Sequence, residues 1–350
     1  YSIGRGIASI KGKNDYPTTF VRAVLECNLN SMLQIATGST FPNLGKDALN
    51  NYEVEVVSAV NAQKITPLIE QLEQKILNNT IMNDTLETII QRIFKSWFVD
   101  FDPVKANEGG ITFDGLSPEI QSVFPNKLKE SELGMIPIGW EVKNIEYFIE
   151  SLSKGTTPTK KDLSSATDLP LINYLKVRDI NDSGLINSEL DKVPASIHET
   201  KLKRSILKTN DLIVSIAGTI GRVTVIPDWL DNSNCNQAVC FIRLPEESSY
   251  HDYIRVLLTQ KSTQEYFYSS VVQGVQANIS LAVVKNAPVI TPTEDVIKSW
   301  KNIVKPIIKR IDVNNSQNNA LNKMRDKLLP RLISGKITIQ KAEELLEKAS

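Results

Sequence analysis

Ile76-Leu77-Asn78-Asn79-Thr80-Ile81-Met82-Asn83-Asp84-Thr85-Leu86 is answered 235 residues later by Ile311-Asp312-Val313-Asn314-Asn315-Ser316-Gln317-Asn318-Asn319-Ala320-Leu321. In both stretches an isoleucine, two asparagines and a leucine step by three, four and three, the spacing of a heptad seam. Working outward, the first seam runs from Ile65, Ile69 and Leu72 through Ile90 and Ile93 to Trp97. The second runs from Trp300, Val304 and Ile307 through Arg325 and Leu328 to Leu332, in the same phase. An asparagine at a seam position lowers stability but fixes register, because a misaligned partner leaves its amide unpaired in an apolar contact. Antiparallel packing about a pseudo-dyad would set Asn79 against Asn318 and Asn83 against Asn314. Leu86, Ile90, Ile311 and Leu321 complete the expected helix-pairing set. Solvated gaps in two amphipathic helices are the plainer reading, but they do not explain why both pairs fall at one offset.

The offset holds ahead of the helices as well: Asn43-Leu44 matches Asn278-Ile279, Asn51 matches Asn286, and Val54 matches Val289. Two copies of one unit imply an internal pseudo-two-fold, and the period is far too long for a solenoid. The first copy is expected to lack its opening half, roughly 100 residues ahead of Tyr1. The expected divisions are the end of a first domain at 1–58, a spacer helix at 59–106, a connector at 107–135, a complete second domain at 136–292 and a helical region at 293–350.

The 350 residues allow two or three domains with cores of their own. A formal net charge of zero announces neither a nucleic-acid nor a membrane partner, and no apolar run has the length of a membrane span. Cys27, Cys235 and Cys240 form no CxxC pair and read as reduced, buried thiols of a cytoplasmic protein. Charge is uneven. Residues 57–108 hold 5 Lys/Arg against 7 Asp/Glu and residues 294–350 hold 12 against 7, so the helical stretches carry −2 and +5. Opposite signs favour their association.

Residues 4–10 and 52–57 read as strands and Thr18–Gln34 as a helix; 253–268 and 287–290 repeat the helix and the second strand. Pro306 is expected to delay the regular start of the second long helix, with Pro330 and Gly335 at its far end and a short helix at 338–349. Residues 107–135 read as an irregular connector. Within 136–292, strands are expected at 169–177, 211–217 and 222–226, making an α+β fold with β-rich domains joined by two long antiparallel helices.

No GxxxxGK[ST] loop occurs, and neither Gly4-Arg5-Gly6 nor Gly218–Gly221 has the spacing of a dinucleotide fingerprint. His198 and His251 lack metal-ligand spacing and read as surface residues. No catalytic constellation, metal site or cofactor is expected, so binding is the expected role. Lys160, Lys161, Lys176, Arg178, Lys201, Lys203, Arg204 and Arg222 are candidate phosphate contacts. Thr219 and the amides Asn236, Gln237, Gln276 and Asn278, with Asn173 and Gln273, are the side-chain types that contact DNA from loops. Taken singly, each is explained as well by a solvated face or a turn.

Together several stretches resemble the specificity subunit of type I restriction-modification systems. Phe94-Lys95-Ser96-Trp97-Phe98-Val99-Asp100-Phe101-Asp102-Pro103 resembles the end of that family's central conserved helix. Phe113-Asp114-Gly115-Leu116-Ser117-Pro118, Glu130-Ser131-Glu132-Leu133-Gly134 and Ile136-Pro137-Ile138-Gly139-Trp140 resemble the approach to its second target-recognition domain. Leu329-Pro330-Arg331-Leu332-Ile333-Ser334-Gly335-Lys336-Ile337 is similar to its carboxy-terminal conserved segment. Gly155-Thr156-Thr157-Pro158, Ile216-Ala217-Gly218-Thr219-Ile220-Gly221 and Asn236-Gln237-Ala238 fit the recognition-domain pattern. The resemblance implies two recognition domains reading a bipartite duplex. It also implies docking of two methyltransferase subunits and, through them, ATP-dependent restriction subunits that carry the chemistry. A helix of 33 residues from Ile65 to Trp97 would span about 50 Å, enough to set half-sites a turn or more apart, at roughly 34 Å per turn. The rival expectations are a scaffold of the orphan or anti-restriction kind that does not bind DNA, and a nuclease or methyltransferase fused to a recognition domain.

Overall fold

The chain opens with α1 (Thr18–Gln34) and α2 (Lys46–Asn50), followed by the long α3 (Ala59–Phe98) and the short α4 (Asp102–Glu108) and α5 (Pro118–Ser122). Then come β1 (Leu128–Ser131), β2 (Gly134–Pro137), β3 (Glu141–Asn144), β4 (Ser151–Lys154), α6 (Lys160–Ser165), β5 (Leu171–Leu175), β6 (Asp191–Pro194) and α7 (Ala195–Glu199). β7 (Leu212–Ser215), β8 (Val223–Val225), β9 (Asn234–Cys235) and β10 (Val239–Arg243) complete the β-rich stretch. After it lie α8 (His251–Thr259), α9 (Lys261–Ser269), α10 (Leu281–Lys285), β11 (Pro288–Thr291), the long α11 (Glu294–Ile333) and α12 (Ile339–Glu347). This computed structural model describes residues 7–37, 43–166, 169–271 and 277–347. The fold is α+β. Moving the bounds of α2 and α3 by 235 residues gives those of α10 and α11 at both ends, so the repeat read from the seams is a repeat of structure.

Two compact units result, one made of residues up to 86 together with those from 309 onward, the other of residues 87–308. In the first unit, α1 lays Phe20, Ala23 and Val24 against Ala62, Ile65 and Ile69 of α3 and Leu328, Leu329, Leu332 and Ile333 of α11, with Ala342 of α12 closing the core. Ile65, Ile69, Leu328 and Leu332 are the seam positions at one end of the helix pair, and burying each of these side chains contributes about 1.5–3 kcal/mol. The segment before α3 is tied to this core by Val57 N–H donating to Ile333 O at 2.9 Å and Tyr16 Oη donating to Val57 O at 2.9 Å.

In the second unit the corresponding seam layers are aromatic. Phe94, Trp97 and Phe98 surround Trp300 at ring distances of 5.6, 6.2 and 5.3 Å, and Phe98 and Phe101 reach Trp140 at 5.9 and 5.8 Å. The Gly139-Trp140 turn and the 94–103 stretch therefore share one core; Gly139 takes φ +83°, a conformation glycine adopts without the strain a side chain would add. Outward from it stand a four-stranded antiparallel sheet ordered β4-β10-β7-β8, a three-stranded sheet β6-β5-β9, the pair β3–β11 and the hairpin β1–β2. Arg243 crosses the first sheet to the buried Asp211, with nitrogen-to-oxygen distances of 2.7 and 2.6 Å.

Several expectations need correction. Residues 52–57 form no strand, although their counterparts form β11, because among the described residues no second strand pairs with them. Residues 7–10 are also outside any strand, and Gly4-Arg5-Gly6 lies outside the described residues. The helix expected at 253–268 breaks into α8 and α9 at Gln260, whose ψ of 144° ends the first helix and starts the second. α11 runs unbroken through Pro306: the proline faces solvent while Val304, Ile308 and Ile311 around it are buried. Packing there offsets a helix-interior proline that costs about 3 kcal/mol. The connector is ordered, for Ser117 caps α5 and Gln121 and Asn107 exchange hydrogen bonds beneath it. His198 is buried rather than superficial, Nδ1 lying 2.6 Å from the Asn234 amide, and Cys27 is exposed whereas Cys235 and Cys240 are buried.

Candidate nucleic-acid interface

In the first unit the four seam asparagines meet. The Asn79 amide donates to Asn318 Oδ1 and to Gln317 Oε1, each at 2.9 Å, and Asn314 donates to Asn83 Oδ1 at 2.8 Å. Asn83 donates in turn to Asn315 Oδ1 at 2.7 Å, and Asn318 to Thr80 Oγ1 at 3.3 Å. Exchanging each residue for its counterpart 235 positions away turns the first bond of each pair into the second, donor for donor. An internal two-fold relation is therefore written into the side chains. The pairing is antiparallel: 79 lies against 317 and 318, while 83 lies against 314 and 315. Ile311 is buried and Leu86 and Leu321 are half-buried beside this layer; Ile90 is buried in the second unit.

In the second unit, two glycine-bearing motifs converge. A Cβ on Gly155 would lie 2.0 Å from Cys235 O and 2.3 Å from Asn236 O, so only glycine lets the 155–158 segment pass the 235–237 turn. Across that contact Thr157 Oγ1 donates to Gln237 Oε1, and Tyr174 Oη donates to Thr156 O at 2.7 Å. Burial pushes the Tyr174 hydroxyl up to about 12, so it remains a donor at neutral pH. Asn236 is half-buried with its Oδ1 unbonded, and Gln237 is exposed. The β7–β8 turn is closed by Ser215 Oγ, which donates to Thr219 O at 2.5 Å and accepts from Arg222 N–H at 2.8 Å, leaving Thr219 at the exposed tip.

The cations divide into two groups. Lys160, Lys161, Lys203 and Arg204 are exposed. The others have carboxylate partners within the unit: Lys176 and Arg178 share Asp191, Arg178 at 2.8 Å, and Lys201 pairs with Asp162. Lys201, with the Thr159 backbone N–H, draws the Asp162 carboxyl down to about 2, and that aspartate also closes a capping box at the start of α6. Arg222 is committed further, donating to Asp182 at 2.6 Å, to Ile180 O at 2.6 Å and to Val177 O at 3.2 Å. In this conformation it holds the 177–182 segment in place. Sequence reasoning missed Asp162, Asp182, Asp191 and Tyr174; only the Thr159-x-x-Asp162 cap left a readable local signal. Asn278 is exposed and bridges to Ala217, Asn173 is half-buried in β5, and Gln273 and Gln276 lie outside the described residues. Among the described residues no group of His, Cys, Asp and Glu could hold a metal ion, and no helix is long and apolar enough to cross a membrane.

Residues 137–323 match the family described as "Type I restriction modification DNA specificity domain". The chain is 26% identical over 347 residues to the Type I restriction enzyme HindI specificity subunit of Haemophilus influenzae, which covers 87% of this chain and 73% of that protein. It is 27% identical over 315 residues to the Type I restriction enzyme MjaIX specificity subunit of Methanocaldococcus jannaschii, covering 87% of this chain and 65% of that one. Among solved structures it is similar to the S subunit of a type I restriction-modification system from M. genitalium, with a TM-score of 0.49, 13% identity, and coverage of 90% of this chain and 72% of that one.

Proposed function

We propose that this chain, which belongs to the type I restriction modification DNA specificity family, is the component of a restriction-modification assembly that selects the DNA sequence. The observation that carries this reading is the family match across residues 137–323. It takes in strands β3–β11 of the second unit, the loops with Lys160, Lys161, Lys203, Arg204, Thr219, Asn236 and Gln237, and the start of the Asn-bearing second seam. Exposed cations would neutralise phosphates, and the loop amides with Thr219 would face base edges. Residues 136–292 hold 16 basic and 17 acidic side chains, and several cations are paired internally, so partner subunits are proposed to supply much of the positive surface.

The finer reading is a non-catalytic cytoplasmic subunit that reads a bipartite target and scaffolds two methyltransferase subunits. Restriction subunits would join through these, and methylation and cleavage would belong to the partners. Titration against duplexes at two salt concentrations, with and without a methyltransferase subunit, tests it: sequence preference and a steep salt slope are expected. Partner binding without DNA affinity would favour a bare scaffold instead. Methyl transfer by the chain alone from S-adenosylmethionine would contradict the non-catalytic assignment.

A further inference from the structure

One end of the β4-β10-β7-β8 sheet gathers the loops that carry Thr219, Asn236 and Gln237. In its antiparallel ladders Lys154 lies opposite Cys240, Val239 opposite Ser215 and Val214 opposite Val223. The segments 155–158, 236–238 and 216–222 therefore leave the sheet at the same end, and Asn278 joins them through its bridge to Ala217. Gly155 and the 235–237 turn lock by direct contact, and Ile216 N–H donates to Ala238 O at 2.8 Å. The tip of the β7–β8 turn is less enclosed. Gly218 and Thr219 are exposed, and no heavy atom stands within 4 Å of a Cβ built on Gly218. Hydrogen bonds to base edges tolerate little displacement, so such a tip discriminates sequence only if it is held in place.

The base of the turn is tied to Ser215, whose carbonyl accepts from Gly221 N–H at 2.9 Å and whose hydroxyl accepts from Arg222 N–H at 2.8 Å. A second hold comes from α9. Gln264 and Tyr268 lie four residues apart and so share one face of that helix. The Gln264 amide donates to Gly221 O at 3.0 Å, and the Tyr268 hydroxyl donates to Ile220 O at 3.1 Å. Among the described residues no backbone N–H reaches either carbonyl, so the two side chains supply bonds that the backbone does not. Gly221 permits the approach, since a side chain there would collide with the Gln264 amide. The helix itself is well anchored. Thr263 and Phe267 are buried, and Gln264 also donates to Leu258 O at 2.7 Å, joining α9 to α8. In turn α8 is bonded to α3, Arg255 to Glu87 at 3.0 Å and Gln91 to Thr259 at 2.9 Å.

We infer that Gln264 and Tyr268 are positioning residues of the recognition surface, through which α9 holds the Thr219 turn in the orientation that meets a base pair. Their role rests on the sequence-recognition reading above and adds to it two side chains outside the base-contacting loops. The Tyr268 side chain is 57% exposed, so loss of its hydroxyl alone leaves the core of the unit untouched.

The test uses the full chain in three variants. Tyr268→Phe and Gln264→Leu each remove one hold on the turn, and Gln264→Lys restores a donor at the same place. Without DNA, hydrogen exchange at the Gly221 and Arg222 amides is expected to quicken about three- to tenfold in the first two, the range for one lost hydrogen bond. Gln264→Lys should return it toward the parent rate, and Tyr268→Phe should keep the parent melting temperature. The second readout is selection from a pool of duplexes with randomised base pairs, by the chain alone and with a methyltransferase subunit. Enrichment of the parent's preferred sequence should fall by a similar factor in Tyr268→Phe and Gln264→Leu, while affinity for unselected duplexes stays the same. Unchanged exchange in both variants, or no rescue by Gln264→Lys, would overturn the inference. So would equal weakening toward every duplex, which would mean that Tyr268 touches phosphate itself. A parent chain that enriches no sequence overturns the recognition reading instead, and the exchange result still decides whether α9 holds the turn.

Discussion

Asn79 donates to Asn318 Oδ1 at 2.9 Å, and the bond from Asn314 to Asn83 is its image under the 235-residue repeat. Asn314 is 0% exposed and its own Oδ1 is unbonded, so this layer already carries one unsatisfied acceptor. Asn83→Leu removes the acceptor of the Asn314 amide as well. It is expected to lower unfolding free energy by roughly 1–3 kcal/mol, read as a lower urea midpoint at unchanged slope. Replacing Asn79, Asn83, Asn314 and Asn318 together with leucine is expected to recover that stability but to lose the single register, giving mixed species in sedimentation. A quadruple variant with one sharp species and full function would show that the amides do not set register.

The two recognition-motif glycines should respond differently to alanine. At Gly155 the new Cβ meets backbone carbonyls at 2.0 and 2.3 Å, and neither can move without shifting the 235–237 turn. Gly155→Ala is therefore expected to abolish specific duplex binding and lower the melting temperature. Gly218 has φ +75° and nothing within 4 Å of an added Cβ, so Gly218→Ala carries only the left-handed backbone cost of roughly 1–2 kcal/mol. Equal melting temperatures for the two variants would contradict the close-approach argument.

Acid should loosen the start of α6 before the sheets. The folded-state Asp162 carboxyl lies at about 2, below its ordinary 3.8, because Lys201 and then the Thr159 backbone favour the anion. A depressed carboxyl contributes stability that is fully present above the unfolded value and is lost as pH falls through the folded one. Local protection of residues 160–165 is therefore expected to decline between pH 4 and pH 2. Lys201→Met should move the Asp162 midpoint up toward 3.8 in a carboxyl NMR titration; an unmoved midpoint would mean the Lys201 ion pair is not populated in solution.

What the sequence disclosed depended on how far apart the cooperating residues lie. The amide layer was legible because both members of each pair sit on one heptad phase, where position along the chain maps directly onto position along a helix. The helix expected at Thr18–Gln34 forms with those bounds. The pairing of β3 with β11 was not, since strands of four residues carry no signal of a partner on the far side of a domain. Local rules also misled: Pro306 argued for a helix start, yet buried Val304 and Ile308 on either side outweigh the missing hydrogen bond. The cations were legible as charges but their partners were not. Asp182 and Asp191 reach Arg222, Lys176 and Arg178 only through the turns that fold them back.

That division among the cations gives the last prediction. Lys203 and Arg204 are exposed at the turn after α7, so Lys203→Ala with Arg204→Ala should leave the melting temperature within a degree or two while weakening binding to every duplex alike. The slope of log affinity against log salt should fall by about 1 for each phosphate no longer neutralised. Arg222 is the contrasting case. Its guanidinium holds Asp182 and the carbonyls of Val177 and Ile180, so Arg222→Ala deprives both carbonyls of that donor. Hydrogen bonds from a charged donor contribute about 1.5–3 kcal/mol, so a clear drop in stability is expected, with specific binding abolished through the displaced 177–182 segment. Should Arg222→Ala instead keep its stability and change only the salt slope, the residue faces phosphate when DNA is bound, and its bonds to the two carbonyls belong to the free protein alone.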